Sequence, residues 1–242
     1  QVSVMTSMRD KFLEGARRNK IPDKTAIQVF DLMQHFAQYG FNKSHSTAYA
    51  LLAYQTAYLK VHYPVQFMAS LLSSEVGNTD KIVMYIAECK DMGIPVLPPD
   101  VNESELDFRS VGDKIRFGLL AIRNVGEGAI DSMLGSRRGK GRFRSLFHFC
   151  EEVDARAVNK RVLESLIRCG ALDSLGWKRS QLMAVSDAAI EHGQKLQRDR
   201  DSGQRGLFTD FFQGAGAIPE PSPPDTPEWP FDQLLAFEKE TL

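Results

Sequence analysis

The run Ile122-Arg123-Asn124-Val125-Gly126-Glu127-Gly128-Ala129-Ile130 leaves the backbone little choice. An apolar arm meets Asn124, Gly126 and Gly128 within five positions, with Val125 among them, and a second apolar arm follows at once. A reversal that tight needs residues that accept positive φ; glycine does so freely, and asparagine is the commonest substitute. The pattern predicts two helices joined by a short turn, with Val125 directed into a core. Glycines without Cβ would also let an extended polyanion come close enough to meet the free N–H groups that begin the second helix.

Apolar arm, glycine turn and apolar arm together have the composition of a helix-hairpin-helix motif, with Asn124 standing where the first glycine is usual. A weaker second copy reads Leu166-Ile167-Arg168-Cys169-Gly170-Ala171-Leu172-Asp173, with Lys178 and Arg179 just beyond. Net charge is −1, yet residues 109–179 hold 15 basic and 8 acidic side chains (+7), against 10 and 12 (−2) before them and 5 and 11 (−6) after. A basic block of that kind is the expected footprint of a polyanion. Arg137, Arg138, Lys140, Arg142 and Arg144, between the two turns, would add salt-sensitive attraction. The DNA-binding candidates are therefore Arg123, Asn124, Val125, Gly126, Gly128, Arg137, Arg138, Lys140, Gly170, Ala171, Lys178 and Arg179. Contacts of this kind hold a backbone without reading bases. The plainer alternatives are a helical hairpin that only fills a core and a solvated basic loop.

A second anion-seeking stretch is Gly40-Phe41-Asn42-Lys43-Ser44-His45-Ser46-Thr47-Ala48-Tyr49-Ala50. Ser44 or Ser46 is placed to cap a helix starting near Ser46, and Asn42, Lys43 and His45 add donors beside its first turn. A nucleotide or a nucleic-acid backbone suits such a site; a capping or packing role for His45 is the simpler reading.

The remaining signals are mostly helical. Helices are expected over 5–19, from Pro22-Asp23 to about Tyr39, 46–63, from Pro64 to Ser74, and 79–92 up to Gly93. Pro95, Pro98 and Pro99 make an extended passage, and residues 106–111 and 114–119 alternate as a β-hairpin over Gly112-Asp113. Helix resumes from Leu119 to about His192, broken at 124–128, 139–141 and 170–176. Residues 193–230, rich in Gly, Pro, Gln and Asp, read as a flexible linker. Within it, Gln204-Arg205-Gly206-Leu207-Phe208 places an apolar pair three residues after a glutamine, suited to anchor in a partner's pocket.

Composition excludes several classes. Cys89, Cys150 and Cys169 are odd in number and widely spaced, so they predict buried apolar residues rather than disulfides or a metal knuckle. His35, His45, His62, His148 and His192 lack zinc-ligand spacing. No uninterrupted apolar run of about eighteen residues occurs and the first residues lack signal-peptide character, so a soluble cytoplasmic chain without a membrane partner is expected.

Taken together, residues 40–50, Tyr54-Gln55, Lys60, His62-Tyr63-Pro64, Phe67-Met68-Ala69, the two hairpins and residues 204–208 resemble the C-family bacterial replicative DNA polymerases, across the whole chain and most specifically in its first eighty residues. The resemblance implies a mainly α fold: the C-terminal part of the polymerase fingers over 1–108, and a tandem helix-hairpin-helix domain over 109–192 with a β-hairpin near 106–119. A linker over 193–230 and the start of a truncated OB fold over 231–242 would follow. It also implies template or nucleotide contacts from Asn42, Lys43, Ser44, His45 and Ser46, and a sliding-clamp peptide at Gln204, Leu207 and Phe208. Primer-template duplex, a deoxynucleoside triphosphate, the clamp and other replicase subunits are the implied partners. Catalysis would lie in a palm outside these residues, whose carboxylates hold Mg2+; no catalytic or metal residue is expected here, and the fragment alone should be inactive. A non-catalytic helix-hairpin-helix repair scaffold, an error-prone polymerase paralogue, and a helical protein whose basic block binds RNA or an acidic protein are the competing readings.

Overall fold

The computed structural model describes residues 2–39, 43–201 and 221–242, and it divides into two compact units, residues 1–62 and 63–242. The division falls between His62 and Tyr63. Helices that follow Tyr63 bury Met68, Leu72, Ile82 and Cys89 in one cluster with Phe108, Ile115 and Phe117, so they share a core with the hairpins.

The first unit holds α1 (Val2–Arg18), α2 (Asp23–Tyr39) and α3 (Lys43–His62). Phe12 of α1 meets Phe30 of α2 with ring centroids 5.4 Å apart, beside buried Ala16 and Ala26. Between them the chain turns on Lys20, at φ 58°, with Lys20 N–H donating to Arg17 O and Ile21 N–H to Ala16 O. This is the Schellman arrangement that usually takes glycine. Arg17 then clasps Asp23 through two hydrogen bonds of 2.9 and 3.0 Å across the turn. In contrast, α3 buries none of its residues: Tyr49, Leu52, Tyr54, Tyr58 and Val61 are all exposed. Its rings pair along its own surface, His45 with Tyr49 at 4.4 Å and Tyr58 with His62 at 4.2 Å.

The second unit begins with α4 (Pro64–Ser74), opened by proline in its first turn, and α5 (Thr79–Asp91), whose Asn78 cap accepts from Lys81 N–H. Gly93, at φ 72°, ends α5 in another Schellman turn. A three-stranded sheet follows, in the order β1 (Val96–Leu97), β3 (Lys114–Arg116), β2 (Arg109–Val111). The expected hairpin is present but shorter, with Ser110 opposite Ile115. The proline-rich passage supplies a parallel strand that alternation did not predict, with Val96 opposite Ile115. Two residues are too few to show a period.

Next come α6 (Glu127–Lys140), α7 (Leu146–Glu152), α8 (Lys160–Arg168), α9 (Arg179–Asp201) and α10 (Phe231–Thr241). Ser145 and Asn159 cap α7 and α8, the latter closing a break after Glu152 that the sequence reading ran through as helix. Helix α9 continues past residue 192, where a linker was expected, because the turn that follows α7 holds it: Gln197 Nε2 donates to Val153 O at 2.6 Å and Gln197 Oε1 accepts from Ala155 N–H at 3.2 Å. The segment expected to begin an OB fold is α10, which lies along α8. All three cysteines are buried and free; burial pushes Cys150 and Cys169 up to about 12, so both stay thiols.

Candidate nucleic-acid interface

At the first turn the chain arrives through a short 3₁₀ segment, Leu119–Ala121, and not through an α-helix. Leu119 N–H and Leu120 N–H donate to Glu105 O and Leu106 O, which ties this arm to the preceding segment. Asn124 takes φ 67°, Val125 is buried beneath it, and Gly126 becomes the N-cap of α6 with no side-chain cap. Ala129 and Ile130 N–H both return to Gly126 O. The N–H groups of Gly126, Glu127 and Gly128 have no acceptor among the described residues, and all three residues are exposed. A Cβ built on Gly126 or Gly128 would meet nothing within 4 Å. Open space thus lies before three donors at the positive end of a helix, where an oxyanion is stabilised. Arg123, exposed, precedes the turn, whereas the exposed Glu127 side chain adds one negative charge; the attraction rests on N–H groups and not on net charge.

The second turn is built differently. Helix α8 ends in a Schellman turn at Gly170, φ 80°, with Gly170 N–H on Ile167 O and Ala171 N–H on Leu166 O. Ala171 is wholly buried, and only the 3₁₀ turn Asp173–Leu175 follows before α9. Arg179 lies over Gly170, donating to Asp173 (2.8 and 2.9 Å), Glu238 (2.7 Å) and Arg168 O (3.2 Å). Burial works against its charge, but Asp173 and Glu238 outweigh that and hold its pKa above the ordinary range. Its backbone N–H and that of Ser180 donate to the Glu228 carboxylate at 2.9 and 3.1 Å. Of the candidates at this turn, Lys178 alone is exposed; Gly170, Ala171 and Arg179 serve the interior.

The basic residues between the turns do not gather at either. Arg137 to Lys140 close the last turn of α6, about 20 Å from its open end at 1.5 Å per residue. Arg137 is sunk among Val101 O, Ser104 O and Glu105, while Arg138 also approaches Glu105, Lys140 is paired closely with Glu152, and Arg142 lies near Glu103. Positive charge there complements the helix dipole. Arg144 is exposed.

Residues 93–182, which contain both turns, match the helix-hairpin-helix motif family. Along 100% of its length the chain is 43% identical to 19% of the DNA polymerase III subunit alpha of Thermus aquaticus. The chain is homologous to one segment of the DNA polymerase III alpha subunit. The same subunit from Vibrio cholerae is 43% identical over 98% of the chain, and that of Bacillus subtilis 42% over 99%. The chain spans about one-fifth of the length of these relatives.

Lys43, Ser44, His45 and Ser46 form the exposed first turn of α3. The helix runs from Lys43, three residues earlier than expected, so Ser44 and Ser46 stand within its first turn; Thr47 Oγ donates back to Lys43 O at 2.8 Å. Asn42 and the clamp candidates Gln204, Leu207 and Phe208 lie outside the described residues. No helix among the described residues is long and apolar enough to cross a membrane. Nor do they hold a group of three or more His, Cys, Asp or Glu side chains placed to share a metal ion. Sequence reasoning missed Ser165, the side-chain partner of Asn124, and Glu228, 49 residues from the N–H it accepts from. No spacing rule connects either pair.

Proposed function

We propose that this chain is the part of a DNA-directed DNA polymerase alpha subunit that holds the duplex product by its backbone, without reading sequence. The observation that carries the reading is the uncapped start of α6: Gly126, Glu127 and Gly128 present donors to open space at a helix N-terminus. Homology to the alpha subunit supports a DNA-templated nucleotidyl-transfer setting, and the motif family supports DNA as the polyanion. In that setting Lys43, Ser44, His45 and Ser46 at the start of α3, with Asn42 before them, position template or incoming nucleotide. Gln204, Leu207 and Phe208 tether the enzyme to the sliding clamp, which raises the effective concentration of primer ends to roughly millimolar.

A fluorescence-anisotropy titration of the 242-residue chain with random-sequence duplex tests the grip. Binding should be indifferent to sequence and fall with salt, with a log–log slope of about −0.9 for each phosphate held. No binding at low salt removes the duplex-holding role. Clamp tethering is tested separately by a pull-down, in which Leu207→Ala with Phe208→Ala should abolish retention of the clamp.

A further inference from the structure

The starts of α6 and α9 face an oxyanion in opposite states. At α6 three N–H groups are open; at α9 each corresponding donor is taken. Lys178 N–H donates to Gln181 Oε1 at 3.1 Å, while Arg179 and Ser180 N–H converge on the two oxygens of Glu228. Trp229 N–H adds a third bond to Glu228, 2.9 Å. Beside it Ser180 Oγ, in a residue only 4% exposed, is close enough to help hold the carboxylate charged yet completes no hydrogen bond of its own among the described residues. A 23-residue helix thus ends in two convergent amides and a buried unsatisfied hydroxyl around one carboxylate, a cradle that suits a singly charged oxyanion.

We propose that Glu228 is an internal stand-in for a backbone phosphate, an autoinhibitory contact that closes the second hairpin until a duplex displaces it. The proposal rests on the duplex-holding reading of α6. Three features make the exchange local. Glu228 is only half-buried, so a phosphate reaches the same amides from solvent. Residues 221–230, which carry it, form no helix or strand, and Gln181 Nε2 on Pro224 O at 2.9 Å is a principal tie holding them near α9. Meanwhile α10 is fastened independently, by Arg179 on Glu238, by the Arg168 guanidinium 5.2 Å from the Phe237 ring centre, and by Arg123 N–H on Thr241 O at 2.9 Å. Glu228 can therefore leave without undocking the helix behind it. Exposed Lys178 would meet the incoming phosphate.

Trp229, whose indole rests edge-on against Phe237 at 4.9 Å, reports the exchange directly. In the full chain carrying Trp177→Phe, which leaves Trp229 as the single tryptophan, saturation with random-sequence duplex should shift the tryptophan emission. Glu228→Gln should tighten duplex binding about two- to five-fold, the effect of one charge at a helix N-terminus. Duplex binding with silent Trp229 emission, and with unchanged affinity in Glu228→Gln, overturns the proposal and leaves the α6 reading intact. Absence of any duplex binding overturns both. The emission measurement keeps Glu228 in place, so it remains decisive if Glu228→Gln loosens the fold.

Discussion

Asn124 Nδ2 donates to Ser165 Oγ across 3.1 Å, joining the first turn to helix α8 of the second. Asparagine here is thus more than a tolerated replacement for glycine. Its backbone accepts φ 67° while its amide reaches a hydroxyl that is otherwise buried. One residue sets the turn and locks two hairpins to each other.

Substitution at Asn124 should separate those two roles. Asn124→Gly keeps the left-handed backbone and loses the hydrogen bond, lowering stability by about 1 kcal/mol. Asn124→Ala loses the bond and adds about 1 kcal/mol of backbone strain. Urea denaturation should rank wild type above glycine above alanine; equal midpoints for the two variants contradict the strain argument. A double-mutant cycle with Ser165→Ala should show coupling.

Arg179 is expected to be a stability residue and not a DNA contact. Its side chain is 12% exposed and bridges Asp173 and Glu238. Because both carboxylates keep substantial access to water, Arg179→Ala should lower stability by about 2 kcal/mol, below the range for fully buried pairs. Arg179→Lys should recover less than half, since an ammonium cannot reproduce the forked geometry. A denaturant midpoint for Arg179→Ala within error of wild type would discard this role.

Gly193 allows α9 to lie against α7. A Cβ there would run into the carbonyl of Cys150, which also accepts from Gln197 Nε2 at 3.2 Å. Gly193→Ala should therefore lower stability by about 1–3 kcal/mol, despite alanine's better helix propensity. Thermal unfolding that matches or exceeds wild type would show that the two helices separate without penalty.

Acid should unfold the chain through identifiable carboxylates. Burial pushes Glu152 up, but its hydrogen bond to Lys140 and the nearby charges of Lys140 and Arg200 pull it down further. For Glu228 burial also raises the pKa, and the N–H groups of Trp229, Ser180 and Arg179 more than reverse it. A depressed carboxylate contributes stability that is fully present above its unfolded value of about 4.5 and is lost as pH falls through the folded value. Melting temperature should thus drop below about pH 4.5, and Glu152→Gln should flatten that drop. An unchanged acid profile in the variant rules out the Glu152 contribution.

Closing the start of α6 should remove duplex binding without harming the fold. Gly128→Asp fits the open space before the helix and places a carboxylate where negative charge favours the dipole. Its melting temperature should equal or exceed that of wild type while duplex affinity falls several-fold. Undiminished anisotropy at low salt would exclude this helix end as the phosphate site.

Much of the framework was legible one residue at a time. Pro22, Pro64, Gly93 and Gly170 marked helix limits because each constrains its own backbone or its immediate neighbours, and the glycine-rich run around Val125 predicted the first turn for the same reason. Even the departures had local causes: a two-residue strand has no period, and the arm over Leu119–Ala121 was read as helix because its tie to Glu105 and Leu106 leaves no mark in composition.

What the linear chain could not decide was which charges remain available. Arg137 and Arg179 look like any surface arginine in sequence, yet one is spent on Val101, Ser104 and Glu105 and the other on Asp173 and Glu238. Two similar turns become one open helix end and one closed by Glu228, because a carboxylate 49 residues away is folded onto it. Local backbone preference is a property of a few adjacent residues, so the sequence determined where the turns and helices form. The availability of a donor depends on every group that tertiary packing brings within about 3 Å, and only the folded chain decided that.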